Sequence, residues 1–93
     1  MRLIIIDKDK TLNQNLAFFF KNKGFVVDSA YSGEDGLELT HLYEYDVLML
    51  SYHLPDMSGL DLLKRLRSAG INAPILMYSI NSSAPIKVDC LSH

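Results

Sequence analysis

Short continuous apolar runs alternate along the chain with longer segments of helical periodicity. The runs lack the one-in-two alternation of half-exposed strands, which indicates strands buried on both faces of a sheet. They comprise residues 3–6, 25–27, 47–50 and 74–78. Because a helix-length segment separates each run from the next, the pattern predicts a parallel sheet with helices on both faces.

The three segments between these runs place apolar side chains three or four residues apart, as amphipathic helices do. Thr11 and Ser32 are expected as N-caps, and Gly24 and Gly70 as stop signals. Pro85 can begin a short fourth helix through Leu91. The predicted inward faces consist of Leu12, Leu16, Phe19 and Phe20, then Leu37, Leu39, Leu42 and Tyr43, and finally Leu60, Leu62, Leu63 and Leu66.

The chain is organised around the stretch from Tyr45 to Gly59. Its apolar strand ends at Ser51, after which Pro55 prevents a central strand from continuing and Gly59 allows the turn into the third helix, predicted for residues 59–69. Ligands of open α/β sheets bind beyond the carboxyl ends of such strands. We therefore expect Ser51, with His53 close by, at the floor of any pocket.

Composition limits the classes of function. A chain of 93 residues forms at most one small domain, and its net charge of −2 gives no electrostatic case for nucleic-acid binding by this segment. Its one cysteine cannot form an internal disulfide. The apolar run after Met1 is too short for a signal peptide or a membrane span, so we expect a cytoplasmic protein.

The chain resembles the receiver domains of bacterial two-component response regulators. The resemblance rests on the acid after the first strand, on the proline and glycine that follow the central strand, and on the last apolar run with its hydroxyl. These are Asp7, then Asp46-x-x-x-x-Ser51-x-x-Leu54-Pro55-x-x-x-Gly59, and Pro74-Ile75-x-Met77-x-Ser79. Finer features, including Leu54-Pro55-Asp56-Met57-Ser58-Gly59, look like the CtrA-type cell-cycle transcription regulators.

The resemblance implies a fold and a pocket. The fold is α/β, a three-layer parallel sheet of the flavodoxin-like (CheY-like) receiver type, with residues 1–93 forming one incomplete domain that lacks the fifth strand and the last helix. The strand edge at 75–78 would then be open. In the family, an aspartate at the position of Ser51 accepts a phosphoryl group, two adjacent acids at the positions of Asp7 and Lys8 serve Mg²⁺, and a hydroxyl at the position of Ser79 signals phosphorylation.

The departures from the family argue against phosphorylation. Ser51 is neutral at pH 7 and cannot form an acyl phosphate. Mg²⁺ prefers an octahedral shell with one or two carboxylates, and Asp7 with the carbonyl of His53 is a poor substitute. Lys8 would repel the ion, and we expect it to pair with Asp7 instead. The predicted site is therefore a degenerate pocket of Asp7, Lys8, Ser51, His53 and Ser79, with no cofactor and a lost Mg²⁺ site.

Other roles for these residues have weaker support. Asp9 could replace the missing second acid only if the loop changed, and a solvated acid at a helix start is simpler. His53 is more often an ordinary hydrogen-bonding residue than a ligand. Ser51 with His53 has no orienting acid and no Gly-x-Ser-x-Gly turn, so a hydrolase is disfavoured and the protein is not expected to be an enzyme. Tyr78 and Ser79 are interpreted as inherited packing.

The sequence thus predicts a phosphorylation-independent pseudo-receiver that acts by protein–protein interaction in two-component signalling and transcription control. A protein partner is expected, with self-association as a dimer or a strand or domain swap. An alternative is that the chain is the N-terminal regulatory fragment of a full-length DNA-binding response regulator. Continuation of the reading frame past His93 into a winged helix would distinguish the two.

Overall fold

The computed structural model describes the backbone of residues 1–81 and 84–91 and the side chains of residues 1–79. Strands and helices alternate through most of this length. The elements are β1 (Arg2–Ile6), α1 (Lys10–Asn22), β2 (Val26–Ala30), α2 (Gly33–Leu42), β3 (Val47–Ser51), α3 (Gly59–Ser68), β4 (Ile75–Asn81) and β5 (Ala84–Leu91).

The strands form one sheet in the order β2-β1-β3-β4-β5. The first four run parallel, with Ile6 beside both Ala30 and Leu50, and Ser51 beside Tyr78. This arrangement confirms the predicted flavodoxin-like α/β class, because four parallel strands and three helices are present and β2 lies at the sheet edge. The family's parallel fifth strand and last helix are lacking in the described residues.

Helices cover both faces of the sheet, which makes three layers. On one face the alternate residues Ile4 and Ile6 of β1 pack with Leu62 and Leu66 of α3. On the other face Leu3, Ile5 and Val27 pack against Ala17 of α1. Each of the four parallel strands therefore buries side chains on both faces, as the continuous apolar runs predicted.

The buried faces of the helices differ from the predicted ones. Phe19 is 53% exposed, Leu42 60% and Leu60 48%, although all three were assigned inward. In α1 the buried residues are Asn13 and Ala17, while α2 turns Gly33, Gly36 and Thr40 inward. In α1 and α2, small and polar residues occupy the positions closest to the sheet, so a stripe drawn through large apolar residues was rotated from the true face. In α3 the predicted Leu62 and Leu66 are fully buried, which confirms that part of the prediction.

The predicted helix at residues 85–91 is wrong, because β5 occupies this segment. It pairs antiparallel with β4, placing Val88 beside Tyr78 and Leu91 beside Ile75. Ile86 and Val88 are β-branched and favour a strand, and proline is tolerated near the start of an edge strand. The edge of β4 that was expected to be open is therefore occupied, and the strand exposed on this side of the sheet is β5.

The helix ends follow the expected chemistry with one shift. Asp9, not Thr11, is the N-cap of α1, and its carboxylate accepts a hydrogen bond from Leu12 N. Ser32 and Ser58 cap α2 and α3. Gly24 and Gly70 have φ angles of 92° and 87°, which L residues rarely adopt, so both glycines end a helix as predicted.

Candidate functional site

The carboxyl ends of β1, β3 and β4 meet at one edge of the sheet. A cavity of about 270 Å³ opens there between the loops that follow these strands. Its walls are formed by Asp7, Lys8, Asp9, Leu12, Ser51, His53 and Tyr78. The structure thus brings together four of the five predicted site residues. The fifth, Ser79, lies one residue beyond Tyr78 in β4.

Asp7 is the most buried charged group of this cavity, with 4% exposure. Its position continues the alternation of Leu3 and Ile5 on the α1 side of the sheet. One carboxylate oxygen, Oδ1, accepts a hydrogen bond from the backbone N–H of Asp9 at 2.9 Å. The other, Oδ2, accepts one from the Tyr78 hydroxyl at 2.6 Å. Both oxygens are therefore engaged by donors of the chain itself.

The predicted ion pair between Lys8 and Asp7 does not form. Among the side chains that the structure describes, the ion pairs closer than 4.0 Å join Arg2 to Asp28 and Arg65 to Glu34, and Lys8 is exposed. The neutral phenol of Tyr78 takes the place that the ammonium was expected to occupy. It satisfies the carboxylate by hydrogen bonding but, being neutral, supplies no positive charge.

Tyr78 reaches Asp7 because of its position in β4. Ile75 and Met77 belong to the core beneath α2 and α3. Because side chains alternate along a strand, Tyr78 faces the opposite, α1 side of the sheet, where Asp7 lies. Burial, the hydrogen bond to Asp7 and the charge of Asp7 raise the pKa of the Tyr78 phenol well above its ordinary value of 10.0. The tyrosine therefore remains a proton donor. The sequence interpretation of Tyr78 as packing missed this role, although strand alternation contained the signal.

Ser51 is 7% exposed and ends β3 at the floor of the cavity, as predicted. Its hydroxyl bonds within its own loop: Oγ donates to the His53 carbonyl at 3.3 Å and accepts from the His53 N–H at 3.2 Å. The backbone of His53, rather than its imidazole, makes these bonds. The serine is thus held in a local turn, and none of the acids among the described side chains is hydrogen-bonded to the histidine to orient it as a catalytic base.

The β3–α3 loop is fastened to α2 by Asp56. Its carboxylate accepts hydrogen bonds from the N–H groups of Gly33 and Glu34, both at 2.9 Å, at the N-terminus of α2. These two bonds hold the pKa of the Asp56 carboxyl below its usual range. Gly59 is required at the other end of the loop, because a Cβ there would collide with the carbonyl of Ser51. The loop after Ser51 is thus fixed at both ends.

Asn13 is a second residue that the sequence did not single out. It is fully buried, and its Nδ2 lies 2.9–3.2 Å from the carbonyl oxygens of Ile5, Asp7 and Ala30. These contacts tie the ends of β1 and β2 to α1 and hold the backbone of Asp7 in place. A polar residue on a helix is normally placed outward from sequence, so its role appears only once the strand ends are known.

The donor set of this cavity is a poor match for Mg²⁺. The ion takes six oxygen ligands in near-octahedral geometry and usually needs one or two carboxylates. Here both oxygens of Asp7 already accept hydrogen bonds, and the carbonyl of His53 accepts the hydroxyl of Ser51. Within the described residues, no cluster of three or more His, Cys, Asp or Glu side chains is placed to hold a metal ion.

Comparisons with known proteins agree with this architecture. Residues 3–93 match the family described as the response regulator receiver domain. The chain is 41% identical over 88 residues to the cell cycle transcriptional regulator CtrA of Caulobacter vibrioides, covering 95% of this chain and 38% of that protein. It is 37% identical over 91 residues to the transcriptional regulatory protein DltR of Streptococcus agalactiae, covering 98% of this chain and 41% of that protein.

Among solved structures, the receiver domain of the Francisella response regulator 1452 superimposes with a TM-score of 0.81 at 30% identity. The alignment covers 89% of this chain and 69% of that domain. Of the two curated relatives, CtrA and DltR, the chain spans only about two fifths of the length. In the described part of the chain, no helix is long and apolar enough to cross a membrane.

Proposed function

The chain belongs to the response regulator receiver domain family, and from this premise we propose that it is a pseudo-receiver, acting without phosphorylation. Receiver domains of response regulators operate in two-component signalling, typically as non-enzymatic domains. The proposed role is regulatory contact with a protein partner in a transcription-control pathway of this kind. We propose neither an enzymatic activity nor a nucleic-acid contact for this segment.

One observation carries the proposal: Ser51 ends β3 at the position that an acceptor aspartate has in the family. An acyl phosphate requires a carboxylate nucleophile, and a serine hydroxyl at neutral pH lacks both the charge and an activating base. The bonds between Ser51 and the backbone of His53 further occupy the hydroxyl. Chemistry at this position therefore favours a receiver with one fixed pocket state.

The environment of Asp7 supports the same proposal. Phosphoryl transfer relies on a cation to neutralise the oxygens of the incoming group. The Tyr78 hydroxyl and the Asp9 N–H each donate to one oxygen of the Asp7 carboxylate, so a cation would compete with both donors for these oxygens. We propose that Mg²⁺ has no part in the function and that Tyr78 holds the Asp7 carboxylate in its place.

A labelling experiment tests the proposal. The chain is incubated with acetyl phosphate and Mg²⁺ and examined by intact-mass spectrometry, beside an ordinary receiver domain with an acceptor aspartate. The expected result is no added phosphoryl mass on this chain while the ordinary receiver is labelled. An adduct that hydroxylamine removes would mean an aspartyl phosphate, and would overturn the proposal. Asp9→Asn is the matched variant that tells whether Asp9 is the acceptor in that case.

A second candidate function has a specific observation in its favour. The chain matches only 38% of the length of CtrA, which is named as a transcriptional regulator. We therefore keep the alternative that these residues are the N-terminal regulatory part of a full-length DNA-binding response regulator. Sequencing the transcript beyond the codon of His93 decides this point, since a reading frame continuing into a winged-helix domain would favour the alternative.

A further inference from the structure

The outer edge of β5 is an extended backbone edge with no partner strand in the described structure. The sheet order places β5 last, and its eight residues form one ladder, with β4. An edge strand presents a row of N–H and C=O groups that can template pairing with another chain. The edge at the other end of the sheet, β2, has only five residues.

We infer that β5 pairs antiparallel with β5 of a second copy of this chain, around a two-fold axis at Val88, which joins the two sheets into one. The inference rests on the proposed function in one respect: it names a second copy as a protein partner of the pseudo-receiver. It also replaces the expected contact at the β4 edge, which β5 already occupies.

Symmetry restricts the register of such a pair. Hydrogen-bonded and non-hydrogen-bonded residue pairs alternate along an antiparallel ladder. A two-fold axis perpendicular to the sheet must therefore pass midway between one residue and the same residue of the other copy. We name each possible axis after that residue. Within Ala84–Leu91, axes at Lys87 and at Val88 both keep nearly the whole strand paired. Backbone overlap alone does not choose between them.

The charges of the strand decide the register. An axis at Lys87 places two lysines opposite each other, and an axis at Asp89 does the same with two aspartates. An axis at Val88 instead places Lys87 of each copy opposite Asp89 of the other, which forms two complementary cross-strand pairs. Pro85 then lies at the end of the ladder, where its missing N–H removes at most one hydrogen bond.

The β2 edge is a poorer candidate for the same contact. Its central residue is Asp28, so the symmetric pairing with most overlap would place two aspartates opposite each other. The carboxylate of Asp28 also already accepts the hydroxyl of Tyr45 and pairs with Arg2. Length and charge therefore both favour the β5 edge for a second copy.

Charge reversal with sedimentation velocity tests the register. At about 100 µM, a concentration that reveals a dimer with a Kd up to that range, the unaltered chain is expected to sediment as a dimer. Lys87→Asp and Asp89→Lys each create two like-charge pairs across the axis, and each should raise the Kd about tenfold or more. An equimolar mixture of the two variants restores both complementary pairs and is expected to form a heterodimer.

The mixture separates the interface from effects within one chain. Each variant keeps its own unfavourable neighbours at 87 and 89 when mixed, so only a contact between copies can restore association. A monomeric unaltered chain, unaffected single variants, or a mixture that stays monomeric would each overturn the inference. If either variant fails to fold by circular dichroism, Val88→Cys in a Cys90→Ser background replaces it. A short bifunctional maleimide should then cross-link residue 88 to its own copy, and failure to do so overturns the inference.

This test is independent of the pocket. Dimerisation through β5 involves neither acetyl phosphate nor Mg²⁺. A monomeric chain that also resists phosphorylation would leave the pseudo-receiver proposal intact and remove only the dimer. A phosphorylated chain that dimerises through β5 would remove the pseudo-receiver proposal and leave the dimer intact.

Discussion

Two tyrosine–aspartate pairs with the same bond length hold their carboxylates in different surroundings. Tyr78 donates to Asp7 at 2.6 Å in the cavity, and Tyr45 donates to Asp28 at 2.6 Å near the amino-terminal end of β3. Asp7 is 4% exposed, whereas the side chain of Asp28 is 31% exposed and lies 3.4 Å from the Arg2 guanidinium. Among the described side chains, a cation lies within 4.0 Å of the partly exposed Asp28 carboxylate but not of Asp7.

The difference lies in how each carboxylate is satisfied. At Asp28, hydrogen bonding and charge neutralisation act together, as in an ordinary ion pair near the surface. At Asp7, the described side chains supply hydrogen bonds but no cation within 4.0 Å, since Lys8 is exposed and forms no ion pair there. The phenol of Tyr78 is thus the side-chain donor that holds the buried carboxylate, and the contact should be costly to remove.

Tyr78→Phe is expected to have the largest effect. It leaves Asp7 Oδ2 without its donor in a buried site, which costs about 2 kcal/mol in the free energy of unfolding. Urea denaturation followed by circular dichroism measures this loss. Tyr43→Phe is the matched control, since Tyr43 is 45% exposed, and its stability should be unchanged. A Tyr78→Phe chain as stable as the unaltered one would show that the contact carries no stability.

Alkaline pH should weaken both tyrosine pairs. Burial and the neighbouring aspartates raise the pKa of Tyr78 and of Tyr45 above 10.0 in the folded chain. The unfolded state therefore loses these protons first, so their contribution to stability is present below about pH 10 and declines above it. Denaturation at stepped pH should show a shallower alkaline decline in Tyr78→Phe than in the unaltered chain. Equal slopes would contradict the raised pKa.

Tyr45→Phe should cost less than Tyr78→Phe, about 1 kcal/mol. Water and the Arg2 guanidinium can both satisfy the Asp28 carboxylate after the hydroxyl is removed, because this site is partly exposed. The same urea experiment makes the comparison directly. If Tyr45→Phe proved the more damaging change, burial would not be the cause of the difference between the two pairs.

Lys8→Ala is expected to have the smallest effect, within about 0.5 kcal/mol of the unaltered chain. Lys8 is exposed and has no carboxylate partner in the described structure. A loss of stability comparable to that of Tyr78→Phe would instead revive the ion pair between Lys8 and Asp7 that the sequence suggested.

Sequence reasoning located the site more accurately than it described the contacts within it. Apolar run length and the turn after Ser51 placed the serine correctly at the end of a central strand. The partner of Asp7 was missed, because the contact spans 71 positions of sequence and depends on which face of β4 Tyr78 occupies. Local charge pairing suggested adjacent Lys8, whereas the folded sheet brings a distant phenol closer.

The errors in the fold have a similar origin. Gly36 and Thr40 form the inward face of α2 because the helix lies close to the sheet, and a pattern of large apolar residues cannot indicate that approach. At residues 84–91, a proline near the start is compatible with either a helix or an edge strand. The ladder with β4, a tertiary contact, determines that the segment is a strand.

The most direct test of a pocket that takes neither a cation nor a phosphoryl group is an amide NMR titration with Mg²⁺ followed by beryllofluoride. Beryllofluoride is an analogue of an aspartyl phosphate. The account predicts a folded spectrum in which the amides of Asp7, Ser51 and Ser79 do not move at millimolar Mg²⁺ or after beryllofluoride. Saturable shifts of these amides would contradict it, and would show that the cavity still binds a cation and a phosphoryl analogue despite Ser51 and Tyr78.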